Sequence, residues 1–180
     1  FYQTMPDYLD LYREAGLRIL KIGEEAIVNL EKFTLQGGEM KSIRTNVNKF
    51  HRLGWATGIH AFPHSDEFLD HLREISNQWL ISRKGGEMKY SMGWFDEDYL
   101  NTTDVMEIHD DAGTVIAFAN LVKEFQSPTL AVDLMRHRSD STAGIMDFLF
   151  AEIIQYAKDS GYKYFNLGLS GLAGVCETQD

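Results

Sequence analysis

An internal disulfide is impossible in this chain, because its 180 residues include a single cysteine, Cys176. That scarcity fits a reducing compartment and leaves no paired-Cys or Cys/His spacing from which a structural zinc site could be built. Proline is almost as rare. The three prolines, Pro6, Pro63 and Pro128, each stand at the start of an element, so no Pro-rich linker divides the sequence. Positive charge is the scarcer sign: 17 Lys and Arg face 27 Asp and Glu, for a formal net charge of −10 and a pI near 5.0. This argues against wholesale electrostatic binding of nucleic acid but leaves room for a local basic face. No apolar run approaches the roughly 20 residues of a membrane span, and no charged-then-apolar leader opens the chain, so this piece is expected to be soluble. His60, His64 and His71 lack companion carboxylates at ligand spacing, and no metal site is expected. The sequence opens at Phe1 without an initiator Met and stops at "CETQD" just past a strand-like segment, which reads as part of something longer.

Apolar residues are plentiful, at 44% of the chain with 12% aromatic, enough for one globular domain with a real core. "PDYLDLYREAG" predicts a short helix that begins at Pro6 and stops at Gly16. "LRILKIG" and "EAIVNL" read as two apolar strands joined through Gly23. In "GEMKSIRTNVNKFHRLG", Met40, Ile43, Val47 and Phe50 recur at helical spacing and give one buried face. "WATGIHAF" reads as a strand. "SDEFLDHLREISNQWLISRKGG" reads as a long helix with Ser65 as N-cap, a stripe of Phe68, Leu72, Ile75 and Trp79, and Gly85 as its stop. "DVMEIHDDAGTVIAFANLVKEF" predicts a hairpin around "DDAG", with "TLAVDLMR" pairing beside it. A helix over 144–160, carrying Met146, Leu149, Phe150, Ile153 and Ala157 on one stripe, leads to a last strand, "YKYFNLGL". The class is α/β in the α+β sense: a mixed, mostly antiparallel sheet flanked by helices.

Two places carry candidate chemistry. Along one flank of the second helix, Lys41, Arg44, Asn48 and Arg52 project together, a solvated basic face or a contact for a polyanion. At the junction "TLAVDLMRHRSDSTAGIMDFLF", a strand hands over to a helix beside Asp133, Arg136, His137 and Arg138. A helix entered through such a turn leaves backbone N–H groups free, which suits an oxyanion or a phosphate. Asp133 and Arg136 fall on opposite faces of a regular strand unless it ends or bulges near Arg136.

The element order resembles the acetyltransferase-like (GNAT) fold, although Arg138 to Gly144 lacks that fold's usual Gln/Arg-x-x-Gly-x-Gly/Ala loop. More narrowly, "KIGEEAIVNLEKF", "FDEDYL", "IAFANL", "DLMR", "GIMDFLF" and "GYKYFNLGL", in that order, resemble the catalytic region of the phosphatidylglycerol lysyltransferase family. The resemblance runs from about Tyr8 to Val175 and implies the second of two acetyltransferase-like lobes, with 1–180 as a single lobe of a larger membrane protein. It differs from the family where Ala143 replaces the usual Pro before the glycine, and where Ser170, Gly171 and Leu172 stand in place of a Pro-Leu pair.

The activity this resemblance implies is transfer of an aminoacyl group, lysyl by the family name, from aminoacyl-tRNA to a hydroxyl of phosphatidylglycerol at the cytoplasmic face of the bacterial membrane. Ester is exchanged for ester, so no cofactor, ATP or metal is required. The implied partners are aminoacyl-tRNA, phosphatidylglycerol at the membrane surface and the remainder of the same polypeptide, without which the isolated chain is expected to fold but not to turn over. Asp133 would orient the substrate amine or accept a proton, and Arg136 would hold a phosphate bidentately; the alternative is an Asp–Arg pair that braces the loop. Arg138, Gly144, Asn120 and Asn166 are candidate substrate contacts, the two Asn residues alternatively satisfying local backbone. Lys41, Arg44 and Arg52 are the candidate tRNA contacts. Two rival functions share the fold: an acyl-coenzyme A-dependent N-acyltransferase, and a non-catalytic lobe that docks tRNA or a partner.

Overall fold

The computed structural model describes residues 4, 6–82, 94–125, 127–171 and 173–174. Its α-helices are α1 (Leu9–Glu14), α2 (Lys41–Arg52), α3 (Asp66–Ser82), α4 (Glu97–Leu100) and α5 (Ile145–Asp159). Its strands are β1 (Gly23–Asn29), β2 (Ala56–His60), β3 (Asp104–His109), β4 (Val115–Lys123), β5 (Thr129–His137) and β6 (Tyr164–Gly171). The strands form one sheet in the order β1-β6-β5-β4-β3-β2. From β2 to β5 the neighbours are antiparallel, and β5 with β6 is parallel. This is the mixed, helix-flanked sheet expected from the alternation of strand and helix periods. The chain clusters into two compact units, Phe1–Ala26 with Leu169–Asp180, and Ile27–Gly168. The second holds every candidate site residue.

Within that second unit, apolar side chains fall into two clusters. One gathers Val47 and Phe50 of α2 with Ile145, Phe148, Leu149 and Ile153 of α5 and with Ala119, Leu130 and Val132 of the sheet. The other gathers Leu69, Leu72 and Ile75 of α3 with Leu100 of α4 and with Val105, Phe118 and Leu134. The helical stripes read from the sequence supply these faces, and Phe50, Leu72, Ile75 and Phe148 are all fully buried.

Two local expectations change, and a third falls outside the described residues. "LRILKIG" does not form a strand of its own: residues 17–22 have no regular structure, and the strand starts at Gly23. Leu17, Ile19 and Leu20 are exposed there, so their apolar run has no sheet face to fill. "FDEDYL" contains a helix that the sequence reading left out, α4, whose N-cap Asp96 accepts a hydrogen bond from the Tyr99 N–H at 2.9 Å. The stop expected at Gly85 lies outside the described residues.

Candidate active site on the bulged strand

β5 begins as a regular strand with Leu130 and Val132 packed into the α5 cluster. Regular alternation would then send Leu134 and Arg136 to that same side. The ladder with β4 does not permit this. Ala119 pairs with Met135 and Leu121 with Val132, so Asn120 alone stands opposite Asp133 and Leu134. One extra residue on β5 is a β-bulge, and it moves every later side chain to the other face. Leu134 accordingly lies in the α3 cluster, and Met135 packs against the α5 cluster. Arg136 now shares a face with Asp133.

Asn120 holds the bulge open. Its side chain is fully buried, and its Oδ1 accepts from both N–H groups that the bulge removes from the ladder, Leu134 at 2.8 Å and Asp133 at 3.3 Å. Its Nδ2 is buried and meets no hydrogen-bond acceptor among the described residues. The Asn120 side chain pulls the Tyr99 phenol's pKa down, the smallest of the influences on it.

Burial, and then the Asp133 carboxylate, push the Tyr99 phenol up to about 12. Burial likewise pushes the Asp133 carboxyl above its usual range, while the Tyr99 phenol and the Arg136 guanidinium pull it back. Arg136 is 7% exposed and lies over Trp79 of α3, its Cζ 4.0 Å from the ring centroid, with Nη1 donating to the Met135 carbonyl at 2.9 Å. A half-buried carboxylate and a stacked guanidinium therefore share one sheet face beside an aromatic wall.

β6 pairs with β5 at Thr129–Tyr164, Leu130–Phe165 and Ala131–Asn166. Asn166 then accepts from the Gly168 N–H at 2.9 Å and donates to Glu124 at 3.1 Å, which ties the turning strand to the end of β4. Gly168 stands at φ +90°, a value only glycine takes readily.

The remaining candidates are placed elsewhere. Arg138 forms a two-pronged contact with Asp140 at 3.1 and 3.3 Å within the turn. Gly144, at φ +91°, is the N-cap of α5, and the Asn46 side chain lies over it: a Cβ there would meet Asn46 at 2.5 Å. Asn46 in turn donates to Asp147 Oδ2 at 2.7 Å, so the first turn of α5 already carries a carboxylate. The basic flank of α2 divides. Arg44 donates to the carbonyls of Leu35 and, at 3.1 Å, Gly37, bracing the preceding loop. Lys41 and Arg52 are exposed, and Arg52 lines an open depression with Thr45, Asn48 and His51. Sequence reasoning missed Tyr99. Its signal was the Asp96 N-cap three residues before it.

The order of strands, the partly paired parallel strands and the helix between them define an acetyltransferase-like (GNAT) fold. A GCN5-related N-acetyltransferase from Kribbella flavida superposes with a TM-score of 0.52 at 14% identity, covering 97% of this chain and 57% of that one. The family is narrower. The family model described as "Phosphatidylglycerol lysyltransferase, C-terminal" matches residues 1–180, and the chain belongs to that family. The phosphatidylglycerol lysyltransferase of Bacillus subtilis is 39% identical over 175 residues, which are 97% of this chain. The chain spans 20% of that relative's length. The structure of L-PGS from Bacillus licheniformis superposes with a TM-score of 0.88 at 36% identity, over 99% of this chain and 56% of that one. Among the described residues, no helix is long and apolar enough to cross a membrane.

Proposed function

We propose that this chain is the catalytic lobe of a phosphatidylglycerol lysyltransferase and that it moves a lysyl group from lysyl-tRNA to a glycerol hydroxyl of phosphatidylglycerol. The observation that carries this reading is the bulge opposite Asn120, which sets Asp133 and Arg136 on one face of β5 beside Trp79. Asp133 takes the ammonium of the lysyl group. Arg136, held over the Trp79 ring, takes the lipid phosphate bidentately. The lipid hydroxyl oxygen attacks the ester carbonyl carbon, the bond from that carbon to the tRNA ribose oxygen breaks, and the hydroxyl proton ends on the ribose oxygen. One ester replaces another, so the site's main task is to hold two large substrates in register. Lys41 and Arg52 are the exposed cations of α2 available to the tRNA backbone, with Arg44 kept for the loop.

An acyl-coenzyme A N-acyltransferase on the same fold would need the start of α5 for a pyrophosphate. Asn46 over Gly144 and the Asp147 carboxylate in the first turn weigh against it. The test uses the whole polypeptide that carries this chain, in phosphatidylglycerol vesicles with lysyl-tRNA. Asp133→Asn and Arg136→Lys should each lower lysyl-lipid formation at least tenfold without unfolding the protein. Wild-type rates in both would refute the assignment.

A further inference from the structure

The bulge accounts for only one end of the Asn120 amide. Oδ1 accepts from the Leu134 N–H at 2.8 Å and the Asp133 N–H at 3.3 Å, and these two bonds fix which way round the amide sits. A flipped amide would set its own N–H groups against two backbone donors. The Nδ2 end is therefore a donor held in place, fully buried and without a hydrogen-bond acceptor among the described residues. Buried donors are nearly always met in folded proteins, and an exception marks a strained or catalytic group or a place that a ligand or water fills. The neighbours of Asn120 show which face it stands on. Ala119 and Leu121 lie in the α5 cluster and Phe118 in the α3 cluster, so alternation puts Asn120 on the α3 side of β4. That is the side on which Arg136 lies over Trp79. In the ladder Asn120 stands across from Asp133 and Leu134, and Phe118, two residues before it, stands across from Arg136.

We propose that Asn120 is a catalytic residue of the lysyl transfer, its Nδ2 donating to the carbonyl oxygen of the lysyl ester. The proposal rests on the lysyl-transfer reading above and deepens it. With an ammonium on Asp133 and a phosphate on Arg136, the reacting pair runs beside Asn120 in the order ammonium, ester carbonyl, glycerol, phosphate, and the acceptor nearest the ammonium is the carbonyl oxygen. As the lipid hydroxyl oxygen bonds to the carbonyl carbon, the C=O electron pair moves onto that oxygen. The pair returns when the bond to the ribose oxygen breaks, and the hydroxyl proton ends on the ribose oxygen. Asn120 loses no proton. Its donor needs no reorientation, because the bulge already holds it, and a preorganised donor shut away from water favours the developing oxyanion. The atom is closed to solvent in the structure, so the ester displaces what covers it on entry. One side chain thus serves the site twice, its oxygen shaping the strand and its nitrogen meeting the substrate.

The experiment uses the whole polypeptide in phosphatidylglycerol vesicles with lysyl-tRNA. Asn120→Asp keeps an acceptor oxygen for the Asp133 and Leu134 N–H groups and removes the amide donor, so kcat should fall about a hundredfold while KM for lysyl-tRNA changes far less. Two competitive inhibitors report the contact itself: lysinamide, and cadaverine, the diamine left when lysine loses its carboxyl group. Both carry two ammonium groups, and only lysinamide carries a carbonyl. Wild type should bind lysinamide about tenfold more tightly than cadaverine, and Asn120→Asp should bind the two alike. Wild-type kcat in a folded Asn120→Asp protein would overturn the proposal. So would a fall in kcat with the inhibitor preference intact, which would leave Asn120 a residue that only holds the bulge. If the Asp variant does not fold, Asn120→Ser, which also keeps an acceptor and lacks the amide, takes its place, and equal binding of the two inhibitors by wild type overturns the proposal without any variant. An Asp133→Asn protein as active as wild type would instead remove the lysyl-transfer reading, and this proposal with it.

Discussion

Replacing Asn120 with Ala tests the bulge at its source. The substitution removes the acceptor of two backbone N–H groups that the β4 ladder does not serve. A buried donor left unsatisfied costs about 1–3 kcal/mol. The Leu134 N–H, buried and bonded at 2.8 Å, should stand near the upper part of that range, and the Asp133 N–H, half-buried and at 3.3 Å, near the lower part. Together they predict a destabilisation of roughly 2–4 kcal/mol, or roughly 5–15 °C in Tm for a domain of this size. Urea unfolding followed by tryptophan fluorescence would measure it, with an unchanged m-value showing that the stability, and not the unfolded state, had moved. Trp79 lies under Arg136, so the native emission also reports the site. Asn166→Ala is the comparison, since Asn166 serves one backbone N–H in addition to Glu124, and about 1 kcal/mol is expected. A loss below about 0.5 kcal/mol in Asn120→Ala would show that the bulge stands without its side chain, and the reasoning above would fail.

Gly144→Ala should destabilise by about 2–4 kcal/mol, of which about 1–2 is backbone strain and the rest displacement of Asn46 from Asp147. In an Asn46→Ala background only the strain should remain, so simple additivity in a double-mutant cycle would contradict the packing described. Arg44→Ala should cost about 1–3 kcal/mol by releasing the Leu35 and Gly37 carbonyls while leaving tRNA affinity unchanged, whereas Lys41→Ala with Arg52→Ala should weaken tRNA binding and flatten its salt dependence at constant stability. Filter binding and thermal melts on wild type and these two variants separate the two outcomes.

How much of this was legible beforehand follows the range of the forces involved. Periodicity is local, and the stripes on α2, α3 and α5, the hairpin around "DDAG" and the strand over "TLAVDLMR" could all be read from it. Asp133 and Arg136 could be named as a pair, and the need for a break in the strand could be stated, because side chains on a strand alternate. What could not be read was that the break is a bulge held by Asn120, since that requires knowing which residue of β4 stands opposite Asp133. The cover over Gly144 is hidden for the same reason: Asn46 reaches it only through the packing of α2 on α5. Arg44 looked equivalent to Lys41 and Arg52 on a helical wheel, and only the fold of the preceding loop sets it apart. In "LRILKIG" apolar composition was taken for a strand, and residues 17–22 have no regular structure.

The two ends of β5 and α5 pull the chemistry in one direction. On an acetyltransferase-like fold the turn into α5 offers free N–H groups and a helix dipole, both suited to a phosphate-bearing donor. Here Asn46 fills the space above Gly144, and Asp147 puts a negative charge into the first turn. An anionic ligand at that place would have to displace a 2.7 Å hydrogen bond and face a carboxylate. The strand is the reverse case. Its bulge removes two N–H groups from the ladder, gives them to one side chain, and in exchange sets an acid and a guanidinium three residues apart on one face. A regular strand cannot do this, because side chains three residues apart on it point to opposite faces. On the proposed reading Asp133 would take a cation and Arg136 an anion, and a lysyl group meeting a phospholipid would supply both.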